Sequence, residues 1–203
     1  MNVFAIGLNY EDHIAEFRGK RPENPVFFMK SSTAYLPNPK PFFLPDFSRE
    51  IEYETELVLR IGKLGKNIRP AFALRYIEAY TLGIDITARD LQRQCRTEGL
   101  PWEMSKSFDG SAPVGKFLPY HPGIDLQNLH FHLNINGNTV QTGHTARMIF
   151  PIPQLIACLS QYFTLQMGDL IFTGTPAGIG PLQMKDHLEG YLEQDKILDF
   201  TIQ

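Results

Sequence analysis

Glu54 and Glu56 stand two residues apart in a stretch where Glu52, Glu54 and Glu56 alternate with Ile51, Tyr53 and Thr55, before the apolar run Leu57-Val58-Leu59. Alternation at this period is that of a strand, so residues 50–62 read as one strand with its carboxylates on one face. Like charges so close repel unless a cation lies between them. Asp85 closes a second expected strand, residues 80–86, in Gly83-Ile84-Asp85-Ile86-Thr87. Three carboxylates, with neither cysteine nor clustered histidine beside them, suit a hard cation such as Mg2+ or Mn2+ rather than zinc. Mg2+ also keeps positions open for water and substrate oxygens. An acidic strand edge facing water accounts for the same residues. Taken by themselves they favour that account, because charge runs usually face solvent.

His13 and Glu16 lie three apart on an expected helix and are therefore neighbours. A carboxylate beside an imidazole orients it and raises its basicity, which suits a general base for water. As a surface ion pair the two would contribute only ~0.3 kcal/mol, and alone they favour that plainer account. Arg89 and Gln92 share an expected short helix just after Asp85, and Lys106 follows a loop containing Pro101-Trp102. Cations near three carboxylates could hold an anionic substrate and stabilise an enolate; salt bridges to Asp90, Glu98 or Glu103 are the alternative. Residues 173–180, Thr-Gly-Thr-Pro-Ala-Gly-Ile-Gly, lack the Lys-Ser/Thr ending of a phosphate loop, and Pro176 removes an amide donor. A turn presenting threonine hydroxyls and backbone amides to a ligand fits them better. No Gly-x-Ser-x-Gly supports a serine-hydrolase elbow. His130 and His132 fall on the polar side of an alternating strand and are expected to face solvent.

The elements that must carry these groups can be outlined. Residues 3–7 read as a short buried strand, and Asn9 as the cap of a helix with Glu11 and Asp12 in its first turn and Tyr10, Ile14 and Phe17 on its apolar side. Residues 22–45, punctuated by proline but rich in aromatics, read as strands and tight turns. Residues 70–78 and 88–94 read as helices, 95–106 as a long loop, and 152–161 as a helix. Residues 129–135 alternate into an Asn136-Gly137 hairpin turn, and 170–173 form a buried strand. The mixture is β-rich with scattered helices and lacks regular βαβ alternation, which makes the class α+β.

The 203 residues suit one domain spanning 1–203. A net charge of -3 gives no reason to expect nucleic acid or an anionic membrane as partner, and no apolar run approaches the ~20 residues of a membrane span. The start has no basic segment followed by a long apolar stretch, so no secretory signal is expected. Two cysteines, Cys95 and Cys158, stand far apart, which suits a reducing, cytoplasmic setting without disulfides.

In chain order, several segments resemble the motifs of the fumarylacetoacetate hydrolase family. Ile6 to Glu16 is similar to its opening Gly-x-Asn-Tyr-x-x-His-x-x-Glu, and Lys30-Ser31-Ser32 to its Lys-Pro/Ser-Ser segment. Tyr53-Glu54-Thr55-Glu56-Leu57 and residues 83–92 resemble the segments carrying its metal ligands. Residues 99–109 resemble its catalytic-lysine loop, and Gly168 to Pro176 the segment that closes the site. The resemblance runs over nearly the whole chain and is strongest to the short acylpyruvase and oxaloacetate decarboxylase-like subgroup. It implies a mixed β-sandwich roll with a few short helices, a homodimer, and one Mg2+ or Mn2+ per chain on Glu54, Glu56 and Asp85. It also implies His13, Glu16 and Lys106 as catalytic residues, and Arg89, Gln92, Lys30 and Thr175 as contacts for a small 2-oxo or dicarboxylic acid. The expected reaction is C–C hydrolysis of an acylpyruvate. Oxaloacetate decarboxylation or tautomerisation, isomerisation of a hydroxyheptadienedioate, and metal-dependent binding without catalysis are the alternatives. Two departures stand out: Gly110-Ser111-Ala112 after Lys-Ser-Phe-Asp, and His144 where relatives often carry an acidic or amide residue.

Overall fold

The computed structural model describes residues 1–16 and 20–203; Phe17, expected on the apolar side of the first helix, lies outside them. The strands are β1 (Val3–Gly7), β2 (Val26–Lys30), β3 (Tyr35–Pro37), β4 (Ile51–Tyr53), β5 (Thr55–Ile61), β6 (Ile77–Ile84), β7 (Thr87–Ala88), β8 (Ala112–Val114), β9 (Leu118–Pro119), β10 (His130–Ile135), β11 (Asn138–His144), β12 (Leu170–Phe172), β13 (Gly180–Pro181), β14 (His187–Leu192) and β15 (Asp195–Thr201). The helices are α1 (Glu11–Glu16), α2 (Arg89–Glu98), α3 (Glu103–Lys106) and α4 (Ile152–Tyr162). The large sheet runs β2-β1-β12-β5-β6-β8-β3, with β9 added against β6. A second sheet runs β11-β10-β14-β15, and a small third one β13-β4-β7. Curled sheets with few helices make an α+β fold, as expected.

The centre of the large sheet is buried on both faces. On β5, Leu57, Leu59 and Ile61 join the apolar cluster that α4 covers with Leu155, Ile156 and Leu159. Val58, of the opposite parity, packs with Val3, Ala5, Leu170 and Phe172. That is why β5 reads as a nearly continuous apolar run once its glutamates are past. A third cluster, including Leu133, Leu188, Leu198 and Phe200, lies under the second sheet. The hairpin between β10 and β11 turns on Asn136 and Gly137, both at positive φ (53° and 80°), the conformation this pair adopts most readily.

Several expected elements are differently built. The strand read over 50–62 breaks at Glu54 into β4 and β5, which belong to different sheets. The helix read over 70–78 is a 3-10 helix, Pro70–Tyr76, and β6 begins at Ile77. The loop read over 95–106 is mostly helix: α2 runs on to Glu98 and stops at Gly99 (φ 69°), and α3 is a further turn. Asn9 does not cap α1. Its side chain is buried, donating to Phe150 O (3.3 Å) and Thr173 O (2.8 Å) while Oδ1 accepts from Phe150 N (2.8 Å). These bonds pin the turn after β1 to β12 and to the start of α4. Leu8, in the same turn, is held at φ 59°; for a leucine that costs about 1–3 kcal/mol.

Candidate active site

Strand parity and register bring the three carboxylates together. Glu56 lies opposite Gly83 in the β5–β6 ladder, and Asp85 N donates to Glu54 O at 2.8 Å just beyond it. Glu54, Glu56 and Asp85 therefore share one face as direct and diagonal cross-strand neighbours. Each offers a ligand atom within 4.8 Å of the others. They are 5%, 1% and 1% exposed, which overturns the solvated-edge account. Glu52 leaves this face at the break and instead accepts from Arg89 Nε at 2.6 Å.

Burying carboxylates requires compensation, since an unpaired buried charge is costly. Arg89 Nη2 donates to Glu54 Oε1 (2.5 Å). Lys106 Nζ donates to Glu54 Oε2 (2.9 Å), Asp85 Oδ2 (2.8 Å) and Thr87 Oγ1 (2.6 Å). Lys30 Nζ lies 2.7 Å from Asp85 Oδ1, so the second oxygen of that carboxylate is paired with a buried ammonium. Lys30 Nζ also donates to Lys106 O and to Ser111 O and Oγ. Burial opposes ionisation of Glu54, but Lys106, Arg89 and His13 outweigh it and hold its carboxyl below the usual range. Glu56 differs. Burial, then the charges of Asp85 and Glu54, push its carboxyl well above the usual range against the single amide of Gly174, 2.6 Å away.

Four carboxylates thus face three cations: Lys30, Lys106 and Arg89. The deficit sits at Glu56. An all-oxygen donor set with one buried carboxyl driven toward protonation fits a hard divalent cation.

A cavity of about 90 Å³ opens onto this cluster. Glu54, Glu56, Asp85, Arg89, Gln92, Lys106, Thr175 and His13 line it, so two catalytic candidates, the three metal candidates and three of the four substrate candidates converge. Lys30 is the exception: fully buried behind Asp85, it supports the cluster from outside the cavity lining, which gives its expected substrate contact no support. Glu16 stands beyond the lining, its Oε2 3.1 Å from His13 Nδ1 and its Oε1 accepting from Gly178 N at 2.9 Å. The threonine-glycine turn therefore works largely through the protein. Gly174 N binds Glu56, Gly178 N binds Glu16, and Thr173 Oγ1 donates to Leu57 O. Thr175 Oγ1 donates to Thr55 O and accepts from Gln141 Nε2, both at 2.9 Å. Gly174 is fixed at φ 100°, and a Cβ there would lie 2.7 Å from Asn9 Cβ, so the turn needs a glycine.

Sequence reading missed Ile6, Gly7, Leu8, Phe28 and Arg96 in the lining. Arg96 is seven residues beyond Arg89, two helical turns along the same face; ending the helix at Gln94 hid it. Phe28 carried no signal, being one apolar residue in an apolar strand. It stacks near Trp102 (centroids 5.7 Å), which also lines the cavity, and lies 5.4 Å from Lys106 Nζ. Of the two departures, Ser111 supports Lys30, and His144 lines a separate cavity with Asp12, His130 and Arg147. His130 is exposed and stacks on His144, whereas His132 is half-buried against Tyr191.

Comparison with known proteins bears on this site. Residues 2–202 match the family described as fumarylacetoacetate (FAA) hydrolase C-terminal. The chain is 39% identical over 202 residues to the oxaloacetate tautomerase FAHD1, mitochondrial, of Bos taurus, covering all of this chain and 91% of that one. A fumarylacetoacetate hydrolase family protein from Yersinia pestis superposes with a TM-score of 0.95 at 37% identity, covering 100% of this chain and 93% of that one. A fumarylpyruvate hydrolase from Pseudomonas aeruginosa, in complex with Mn2+ and pyruvate, does so with a TM-score of 0.92 at 31% identity, covering 100% and 90%. With a carboxylate cluster built for a hard cation, and likeness over its whole length in both sequence and fold, the chain belongs to the fumarylacetoacetate hydrolase family.

Proposed function

We propose that the protein is a divalent-metal-dependent hydrolase that cleaves the C–C bond of a short acylpyruvate, giving pyruvate and a carboxylic acid. The observation that carries this reading is the His13–Glu16 pair, with His13 on the wall of the cavity that also holds Glu54, Glu56 and Asp85. Polarising the 2-oxo group is the chemistry a cation such as Mg2+ or Mn2+ would supply when held by those three carboxylates. Glu16, itself fixed by the Gly178 amide, orients the imidazole through Nδ1. His13 then takes a proton from water on Nε2 as the water oxygen adds to the distal carbonyl of the substrate. The bond toward the pyruvate moiety breaks, its electron pair passes into an enolate, and protonation at carbon releases pyruvate. Lys106 places positive charge beside that enolate. Arg89 and Gln92, bonded to each other, orient the oxo acid, and Thr175 closes the cavity from the glycine-rich turn.

The second reading, enolisation or decarboxylation of oxaloacetate, is favoured by the name of the bovine relative. It uses the same cavity and Lys106 but needs no activated water: decarboxylation loses CO2 and reaches the same pyruvate enolate, whereas enolisation moves a proton from C3 to oxygen and gives the enol of oxaloacetate itself. The test is pyruvate release from acetylpyruvate and from oxaloacetate, and the keto–enol conversion of oxaloacetate followed by its enol absorbance, each with Mg2+, with Mn2+ and with excess chelator, in the wild type and in His13→Ala. Acetylpyruvate hydrolysis should vanish with chelator and fall about 10²–10⁴-fold in His13→Ala, with oxaloacetate turnover falling less. Equal loss on both substrates would remove His13 from water activation. Turnover of oxaloacetate alone would move the assignment to the second reading.

Among the described residues no helix is long and apolar enough to cross a membrane. A homodimer and a cytoplasmic setting belong to the same proposal, checked by sedimentation and by cell fractionation; the bovine relative's name places that protein in the mitochondrion.

A further inference from the structure

The lining of the cavity has two chemically different parts. One is the carboxylate cluster with Arg89, Gln92 and Lys106; the other, adjoining it where the Phe28 ring lies 5.4 Å from Lys106 Nζ, is Ile6, Gly7 and Leu8 around the end of β1, with Phe28 and Trp102. We propose that Leu8 is a specificity-determining residue: its side chain, set by a left-handed backbone, forms the apolar wall that receives the tail of a 2-oxo acid and selects an alkyl tail over a second carboxylate. This rests on the 2-oxo acid reading given above.

Three observations carry it. Leu8 is held at φ 59° although a glycine would take that conformation without strain. Its neighbour Asn9 is bonded at both ends of its amide to Phe150 and Thr173, so the turn cannot relax at position 8 without breaking buried bonds. A strained residue on a cavity wall, over-determined by its surroundings, is where strain and function coincide. Leu8 also continues a built apolar surface. A Cβ on Gly7 would lie 3.8 Å from Trp102 Cζ3, the Trp102 ring is 5.7 Å from Phe28, and Ile6 is buried. The rival is Arg96, at the same cavity, which would draw a second carboxylate. Arg96 is exposed, so its charge is screened by water, whereas the apolar wall is partly shielded.

The test is calorimetric titration of the Mn2+-loaded protein with pyruvate, 2-oxobutanoate, 2-oxopentanoate and 2-oxohexanoate, and with 2-oxoglutarate as the diacid matched to 2-oxopentanoate. Wild-type affinity should rise about three- to fourfold per added methylene, and 2-oxopentanoate should bind more tightly than 2-oxoglutarate. Leu8→Ala and Leu8→Gly should flatten the series, losing most on the longest acid and least on pyruvate. Melting of the two variants without ligand should place Leu8→Gly above Leu8→Ala, because only glycine relieves the backbone. A flat wild-type series with pyruvate still bound would overturn the role of Leu8 and leave the 2-oxo acid reading standing. Tighter binding of 2-oxoglutarate that Arg96→Ala abolishes would transfer specificity to Arg96 and overturn it equally. Absence of binding by every acid would bring down both the reading and the proposal.

Discussion

Among the described residues, two places gather carboxylates whose ligand atoms lie within 4.8 Å of one another: Glu54, Glu56 and Asp85 at the ends of β5 and β6, and Glu189 and Asp199 with His187 on β14 and β15. Both arise from the same device, alternate residues on paired antiparallel strands, and Glu189 faces Asp199 directly in the ladder. Their surroundings differ. In the outer cluster Lys196 Nζ donates to Glu189 at 2.8 Å and to Asp199 at 2.7 Å, and His187 Nε2 lies 2.7 Å from Asp199. The bond from Lys196, then that from His187, holds the Asp199 carboxyl below its usual range. Each charge there has a partner and water screens the remainder. In the inner cluster the three carboxylates are buried, they and Glu52 together meet three cations, and the imbalance falls on Glu56. Proximity of acidic groups thus does not by itself mark a candidate metal site; a buried carboxyl short of cationic partners on the wall of a cavity is what sets the inner cluster apart.

The comparison breaks most visibly at Glu54. Glu54→Gln should lower metal-dependent turnover of any 2-oxo acid by about 10³-fold. It should also lower the melting temperature, because Lys106 and Arg89 lose a buried partner, a change worth about 3–5 kcal/mol where a buried pair is broken. Turnover near that of the wild type would show that the inner cluster is only structural.

Glu56 gives a smaller and pH-dependent effect. Its folded-state carboxyl titrates above the unfolded value of 4.5, so between those two points the folded protein binds more protons than the unfolded chain. In chelator, Glu56 therefore removes stability as pH rises from about 4.5 through its raised pKa. Melting curves against pH should show this loss in the wild type and not in Glu56→Gln. Mn2+ should reverse it, adding about 2.7 kcal/mol at a hundred times its dissociation constant. Identical pH profiles for the two proteins in chelator would contradict the charge deficit.

The smallest effect belongs to the outer cluster. Asp199→Asn should shift the melting temperature by about 1 °C or less and leave the Mn2+-induced shift intact. If Asp199→Asn abolished that shift, the cation would belong on β14 and β15 instead.

Much of the site was legible because strand and helix periods are local. Alternation put Glu54 and Glu56 on one side of the chain, and the i, i+3 spacing paired His13 with Glu16. Other placements were not legible from the chain. Asn9 looks like a cap but spends its amide on Phe150 and Thr173, more than 140 positions away. Lys30 looks like a substrate contact but is buried against Asp85. Arg96 was lost with the last turn of α2, which ends at the αL Gly99 and not at the preceding polar run. For Asn9 a long-range partner outweighed the local preference, whereas the end of α2 was set by a local signal, the glycine at position 99.

The sequence by itself determined which residues could do chemistry and on which side of their own element they fall, because side-chain direction repeats every two residues in a strand and every 3.6 in a helix. Only the tertiary structure decided that Asp85 lies beside Glu54, that Lys106 and Arg89 rather than water compensate them, and that Leu8 lines the cavity wall. Those outcomes depend on strand register, on burial and on the bonds Asn9 makes across the fold, and chain distance carries no information about any of them.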